Sequence, residues 1–368
     1  MKLFENKNWE QLRKQYSWVA DMHGVPQDVQ HHAEGDVAVH TQMVLQQLES
    51  LPEFIALDAD AQEILWATAL LHDVEKRSTT FQEPDGGIVS PGHAKKGAMT
   101  ARQILMSELN IPFAIREAVV GLVRYHGLPL WIMHKPDPLK ALLEASLSVN
   151  TAWLSILAKA DILGRICQDA AEMLDRISFF EAYCLEQHCF GVPFPFETAN
   201  ARFRYFNTEN ASPMYVPFED SICEVTLLSG LPGMGKDHYL QKQLKGLPVI
   251  SLDSIRREHK LKPEDKSATG WVTQEAKEQA RVYLRAKKDF VWNATNITKQ
   301  MRSQLISLFT DYGARVRIIY LEKPYRTWIK QNAEREHAVP NSVLTKLLGK
   351  LEVPTPAEAH EVVYEIGS

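Results

Sequence analysis

Ile222-Cys223-Glu224-Val225-Thr226-Leu227-Leu228 runs without a break into Ser229-Gly230-Leu231-Pro232-Gly233-Met234-Gly235-Lys236-Asp237. The first seven residues form an apolar run of the length expected for a strand buried on both faces. The glycines that follow permit a tight turn of backbone. Their Gly-x4-Gly-Lys spacing turns N–H groups and one lysine toward phosphate oxygens. Strand followed by phosphate loop marks the start of an α/β domain, and the later sequence agrees. Further strands are expected at Pro248–Leu252, Phe290–Asn293, Val316–Leu321 and Val362–Ile366, separated by helices at Thr273–Lys288, Lys299–Tyr312 and Tyr325–Glu336. Strands alternating with helices indicate a parallel sheet.

Upstream of this domain the period is helical. Val37, Val44, Leu45 and Leu48 recur at helical spacing, as do Ile64, Leu65, Thr68 and Leu71, and later Ile115, Ala118, Val119 and Leu122. Breakers at Leu51-Pro52, Glu83-Pro84-Asp85-Gly86-Gly87, Gly127-Leu128-Pro129 and Lys135-Pro136-Asp137-Pro138 divide these stretches. The fold class is therefore multidomain: an all-α domain over 1–190, a packed linker rich in proline and aromatics over 191–220, and an α/β P-loop domain over 221–368. A length of 368 residues suits two cores better than one.

The net charge of −5 hides an asymmetry. Residues 1–219 hold 18 Lys+Arg against 28 Asp+Glu, net −10, and residues 220–368 hold 23 against 18, net +5. An acidic half suits cations and a mildly basic half suits polyanions. The four cysteines, Cys167, Cys184, Cys189 and Cys223, have no C-x-x-C spacing, which argues against a zinc knuckle or a disulfide framework. No apolar run is long enough to span a bilayer, and the N-terminus has no secretory apolar core, so a cytoplasmic protein is expected.

The helical half contains Leu70-Leu71-His72-Asp73-Val74-Glu75-Lys76. Neighbouring His and Asp side chains cannot both face one cation inside a regular helix, so this pair needs a turn there and further ligands from elsewhere. His40, His93, His126 and Asp161 are the candidates. Their contexts are Gly35-Asp36-Val37-Ala38-Val39-His40-Thr41, Gly92-His93-Ala94-Lys95-Lys96-Gly97, Arg124-Tyr125-His126-Gly127 and Ala158-Lys159-Ala160-Asp161-Ile162-Leu163-Gly164-Arg165. In order and content these elements resemble the HD phosphohydrolase superfamily. The resemblance implies that His40, His72, Asp73 and Asp161 bind one divalent ion and that Asp73 bridges to a second held by His93 and His126. One or two ions are implied, a transition metal such as manganese among them. Such ions make a water nucleophilic and neutralise phosphoryl charge. Lys76 and Arg165 would bind substrate phosphate, although Lys76 reads equally well as a solvated cation at a helix end. His31 and His32 read as capping or surface residues.

In the α/β half, Gly230, Gly233, Met234, Gly235, Lys236 and Asp237 form the expected nucleotide loop. The usual Ser/Thr that helps to hold magnesium is replaced by Asp237, which leaves that contact open. Val249-Ile250-Ser251-Leu252-Asp253-Ser254-Ile255-Arg256 places Asp253 at the carboxyl end of a strand, beside the loop's mouth. Asp253 suits a base for an acceptor hydroxyl, and Arg256 suits an acceptor phosphate. Arg335 stands before a helix break, where an arginine can close over a nucleotide. With Asn293-Ala294-Thr295-Asn296 and Arg302, these motifs resemble P-loop polynucleotide 5′-kinases. The resemblance makes Asp253, Lys236 and Arg335 catalytic and gives Arg302 an acceptor-phosphate role. Asn293 stands where such kinases often carry an aspartate.

The two resemblances, in this order, are similar to the bacterial HD-Pnk family. That family implies removal of 2′,3′-cyclic, 2′- or 3′-phosphates from one RNA or DNA end and phosphorylation of a 5′-OH at another. Mg with ATP or another NTP would serve the kinase, and a separate ligase would act afterwards, with no membrane involved. The residues by themselves reach only a metal phosphohydrolase joined to an NTP-dependent kinase. A small-nucleotide phosphohydrolase joined to a nucleoside or metabolite kinase, and a nucleotide-gated regulatory protein, remain open.

Overall fold

The computed structural model describes residues 1–261, 265–334 and 338–367. The chain divides into two compact units, Met1–Pro195 and Phe196–Ser368.

The first unit is helical. Asp36, Asp58 and Asn150 accept hydrogen bonds from the first free N–H groups of Val37–Ser50, Ala59–Leu71 and Thr151–Leu163, which sets where those helices start. Each such cap is worth about 1 kcal/mol. Ala59–Leu71 is buried without interruption from Ile64 to Leu71, as a helix apolar on all sides must be. Val37–Ser50, Phe113–Tyr125 and Thr151–Leu163 pack against it, and His93–Gln103 packs on Phe113–Tyr125. Where Thr151–Leu163 ends against Val37–Ser50, position 164 has to be glycine, because a Cβ there would lie 2.7 Å from Val44 N.

One feature departs from the all-helical expectation. Phe81–Gln82 (β1) and Ile88–Val89 (β2) form a small antiparallel hairpin around the Pro84-Asp85-Gly86-Gly87 breaker. Two residues per strand are too few to produce a visible alternation.

Segment 191–220 is shared between the units. Gly191 N donates to Thr151 Oγ1 at 2.7 Å and Phe194 N to Ser146 Oγ at 3.2 Å within the first unit. Thr198 caps the helix Ala199–Asn207 within the second.

Among the described residues the second unit holds five strands: Cys223–Ser229 (β3), Val249–Ser251 (β4), Phe290–Asn293 (β5), Ala314–Glu322 (β6) and Glu361–Ile366 (β7). They lie in the order β4-β5-β3-β6-β7, and every pairing is parallel. Val225, Leu227, Phe290, Trp292, Val316 and Ile318 pack with Phe309 into the core. The strand expectations hold to within two residues at each end. Leu228 of β3 and Ser251 of β4 both pair with Asn293 of β5, so three strands end level with one another. In such sheets this carboxyl edge is where ligands bind. No single helix among the described residues is long and apolar enough to cross a membrane.

Candidate functional site

The His72-Asp73 pair falls where a helix stops. Ala59–Leu71 ends one residue earlier, a turn covers 72–75, and a short helix, Lys76–Thr79, begins after it. The turn frees both side chains to face the same space. His40 comes from the first turns of Val37–Ser50 and Asp161 from the end of Thr151–Leu163. His93 opens His93–Gln103, and His126 closes Phe113–Tyr125. All six expected ligands converge. His40 Nε2 lies 3.1 Å from Asp161 Oδ1 and 3.8 Å from Asp73 Oδ2, and His72 Nε2 lies 3.3 Å from Asp73 Oδ2. On the other side of Asp73, its Oδ1 is 3.4 Å from His93 Nε2 and 3.8 Å from His126 Nε2, and the two imidazoles are 3.2 Å apart. Two ligand groups result, His40/His72/Asp161 and Asp73/His93/His126.

The imidazoles are oriented for ligation. Nδ1 of His72, His93 and His126 lies 2.7, 2.7 and 2.9 Å from the backbone oxygens of Ala69, Ser90 and Val123. Each Nδ1 therefore carries the proton and each Nε2 keeps its lone pair toward the cluster. His40 Nε2, His72 Nε2 and Asp73 Oδ1 are buried with no aligned hydrogen-bond partner. Buried polar atoms are almost always satisfied, so these three lack what a cation would give them. Four imidazole nitrogens and two carboxylates suit a borderline divalent ion. The donors fit the expected metal.

Burial penalises each charge in this cluster. It pushes His126 down to about 3 and His32 down to about 4, leaving both rings neutral at neutral pH. At His72 burial acts the same way, but the Asp73 carboxylate outweighs it and the value rises. Burial would raise the Asp73 carboxyl, yet Lys76 and His72 hold it well below the usual range. Arg165 does the same for Asp161. Lys76 Nζ is 2.7 Å from Asp73 Oδ2 and donates to Gln27 Oε1 at 2.8 Å. It is buried, so the solvated helix-end reading fails. Arg165 makes two hydrogen bonds to Asp161, at 3.1 and 2.6 Å.

Glu34 is the residue that sequence inspection overlooks. Its fully buried carboxylate lies 2.8 Å from His32 Nδ1 and 2.9 Å, at an oblique angle, from His40 Nδ1, and it accepts from Ile166 N at 2.9 Å. His32 is consequently a buried partner of the cluster, which corrects its reading as a cap or surface residue. His31 stays exposed beside Asp169. The only hint in the chain is an acidic residue between two histidines, at a spacing common by chance. A carboxylate behind a ligating histidine fixes its tautomer, and losing one typically costs about 10- to 100-fold in metal affinity. Glu34→Gln is expected to weaken binding of a divalent ion on that scale in a calorimetric titration. Unchanged affinity would remove Glu34 from the site.

In the second unit, the phosphate loop joins β3 to the helix Lys236–Gln243. Gly230 is forced by packing, since a Cβ would lie 2.5 Å from Leu321 O. Gly233 and Gly235 have φ of 84° and 94°. Lys236 Nζ donates to Gly230 O at 2.8 Å and Leu231 O at 3.0 Å, which holds the ammonium against the loop. Met234 belongs to the loop by its backbone alone, because its side chain is buried and its sulfur accepts from Lys323 N. Asp237 lies on the first turn and accepts from Asn293 Nδ2 at 2.9 Å.

Asp253 stands in the first turn of the helix Leu252–Glu258, two residues beyond β4, with its side chain 82% exposed. Ser251, not Asp253, caps this helix, so the carboxylate is not spent on the cap. Arg256 donates to it at 3.1 Å and keeps a buried Nε with no partner. Arg335 lies outside the described residues.

Arg302 corrects the sequence reading. Its side chain is 0% exposed and makes two hydrogen bonds to Glu358, at 2.7 and 2.9 Å. It donates also to Asn296 O at 3.1 Å and Glu352 O at 2.7 Å. With its guanidinium so occupied it ties the helix Lys299–Thr310 to the segment before β7 and holds no acceptor phosphate. A single arginine at an expected spacing cannot reveal a carboxylate waiting 56 residues later. Breaking one side of a buried pair costs about 3–5 kcal/mol. Arg302→Met should lower unfolding stability by that amount in a denaturant titration, and a small loss would indicate an accessible side chain.

Residues 225–354 match the family model described as an AAA domain. The chain is also similar to multifunctional CCA proteins. One from Azoarcus sp. (strain BH72) is 35% identical over 108 residues, covering 28% of this chain and 23% of the relative. Another, from Aromatoleum aromaticum (strain DSM 19018 / LMG 30748 / EbN1), is 30% identical over 151 residues, 40% of this chain and 32% of the relative. The chain thus spans about a quarter to a third of the length of these curated relatives. Among solved structures, a sugar kinase from Janibacter sp. HTCC2649 aligns at a TM-score of 0.31 with 17% identity, covering 39% of this chain and 85% of that one. The second unit thus joins a parallel sheet and a glycine-rich phosphate loop to a match with the AAA-domain model over most of its length.

Proposed function

We propose that this chain is a bifunctional enzyme that heals broken nucleic-acid ends, RNA or DNA, in the cytoplasm. The helical unit would remove 2′,3′-cyclic, 2′- or 3′-phosphates, and the P-loop unit would phosphorylate 5′-OH ends from an NTP. The observation that carries this reading is the convergence of four Nε2 atoms on Asp73 in one unit, with a glycine-rich phosphate loop and an exposed Asp253 paired to Arg256 in the other.

In the helical unit, bound divalent ions would supply positive charge for the phosphoryl oxygens and a more acidic water. The chain's own residues do the rest. Glu34 and the backbone oxygens of Ala69, Ser90 and Val123 hold the imidazoles in the ligating tautomer. Lys76 and Arg165 keep Asp73 and Asp161 ionised. They also bring cationic charge to the place where a phosphate oxygen would sit. Water would add to phosphorus as the ester P–O bond breaks, with the proton lost by the water balanced by one gained by the departing ester oxygen.

In the P-loop unit, Lys236 would exchange its carbonyl contacts for β- and γ-phosphate oxygens. Asp253 would take the proton of the 5′-hydroxyl as its oxygen displaces the nucleoside diphosphate from the γ-phosphorus. Arg256, with an unused buried Nε beside Asp253, suits an acceptor that itself carries a phosphate, which favours a polynucleotide over a free nucleoside. A separate ligase would join the healed ends.

The test is an assay of both ends. Label from the γ-phosphate of ATP should enter a 5′-OH oligonucleotide and not free nucleosides. An oligonucleotide ending in a 2′,3′-cyclic phosphate should be opened or freed of phosphate, and a chelator should stop this. Transfer to nucleosides alone would replace this reading with a small-nucleotide enzyme. Binding of ATP without transfer would replace it with a regulatory protein.

A further inference from the structure

Asp237 and Asn293 are both unexpected in their own motifs, and they touch each other. The residue after the loop lysine is normally a hydroxyl amino acid, and the end of the neighbouring strand often carries a carboxylate. Here the carboxylate stands after the lysine and a neutral amide stands on the strand. Asn293 Nδ2 donates to Asp237 Oδ1 at 2.9 Å. We propose that the two positions have exchanged charge and form one cation site, in which Asp237 supplies the carboxylate for the magnesium of a bound NTP and Asn293 supplies its neutral oxygen partner. The proposal rests on the nucleotide reading of this loop but not on what the acceptor is.

Three observations support an exchange over two unrelated substitutions. First, either arrangement places one negative charge on the pair, so the field that a cation meets beside Lys236 is conserved. Second, only the amide –NH2 can donate to a carboxylate, so the hydrogen bond fixes which way the Asn293 side chain is turned. That orientation leaves Asn293 Oδ1 buried with no partner, on a residue only 7% exposed. A buried acceptor left unpaired in this way is rare in a merely structural hydrogen bond. Third, Asn293 ends β5 level with Leu228 of the loop-bearing strand and Ser251 of the strand leading to Asp253. The pair thus lies on the edge that carries both the phosphate loop and the base.

The ligand chemistry is consistent. Magnesium takes hard oxygen donors, keeps several waters and binds one or two protein oxygens together with substrate phosphates. The residue Asp237 is exposed, and among the described residues it has no other hydrogen bond, so Oδ2 is open to an incoming ion. A carboxylate reaches further than a Ser/Thr hydroxyl, which suits a cation held from the helix side with the strand residue in support.

Equilibrium binding of ATP to the full chain, with and without Mg2+ and without any acceptor, tests this directly. In the wild type Mg2+ should strengthen ATP binding. Asp237→Asn should cut that enhancement by about 10-fold or more, the scale on which ligand-sphere changes act. It should leave metal-free ATP binding equal or tighter, because a negative charge beside the triphosphate is gone. Asn293→Asp alone brings two carboxylates together, so its melting temperature should fall without Mg2+ and recover with it. The double exchange D237S/N293D should regain the Mg2+ enhancement. An undiminished enhancement in Asp237→Asn, or a folded double exchange that fails to regain it, would overturn the proposal. Absence of ATP binding in every protein, the wild type included, would overturn the nucleotide reading and this site with it. Absence of phosphate transfer to oligonucleotides, with Mg2+-dependent ATP binding intact, would refute only the acceptor assignment.

Discussion

Asp73→Asn should abolish cation binding in the helical unit and reduce phosphate removal by more than about 100-fold, beyond the usual cost of losing an outer-sphere partner. One carboxylate serves both ligand groups. Its Oδ2 faces His40, His72 and Lys76, and its Oδ1 faces His93 and His126. Asparagine keeps the volume, so the turn at 72–75 should persist. The change also leaves the buried Lys76 ammonium without its anion, and some loss of stability should accompany it. Metal content measured by mass spectrometry on the purified protein gives the first readout, and phosphate release gives the second. Phosphorylation of 5′-OH ends should continue near the wild-type rate, because the partners of Asp73 are His40, His72, Lys76, His93 and His126, all of the helical unit. Retained metal with retained phosphate release would refute the assignment of the cluster.

The converse result is expected at Lys236. Lys236→Ala should reduce phosphate transfer on the order of 10³-fold, the scale on which one charge aimed at the transferring phosphoryl acts. The ammonium is already held over the loop by Gly230 O and Leu231 O. Asp253→Ala should be similarly inactive but should still bind ATP, because in the proposed reaction Asp253 addresses the acceptor. Phosphate removal should survive both changes. Loss of both activities from either substitution would contradict two independent sites.

Much of this arrangement was legible in the chain. The apolar run at 222–228 followed by Gly230-x4-Gly-Lys specified strand, loop and helix, because each step has its own local chemistry. The adjacency of His72 and Asp73 required a turn, and the turn is present. Short motifs around His40, His93, His126 and Asp161 pointed to candidate ligands that come from four separate places in the fold. Arg302 was misread because its environment is supplied by Glu352 and Glu358, far along the sequence. His32 and Glu34 were missed for the related reason that a histidine's partner is visible only once its ring has a direction.

By itself the sequence determined what depends on near neighbours: the alternation of strands and helices, the glycine loop, the break after Leu71 and the residue types that can hold a metal or a phosphate. Tertiary structure decided what depends on distance. It turned each Nε2 inward, buried Lys76 against Asp73, closed Arg302 upon Glu358 and brought Asp237 to Asn293 across 56 residues. The reason is physical. Backbone propensity acts within a few residues, whereas ligation, ion pairing and desolvation act through space.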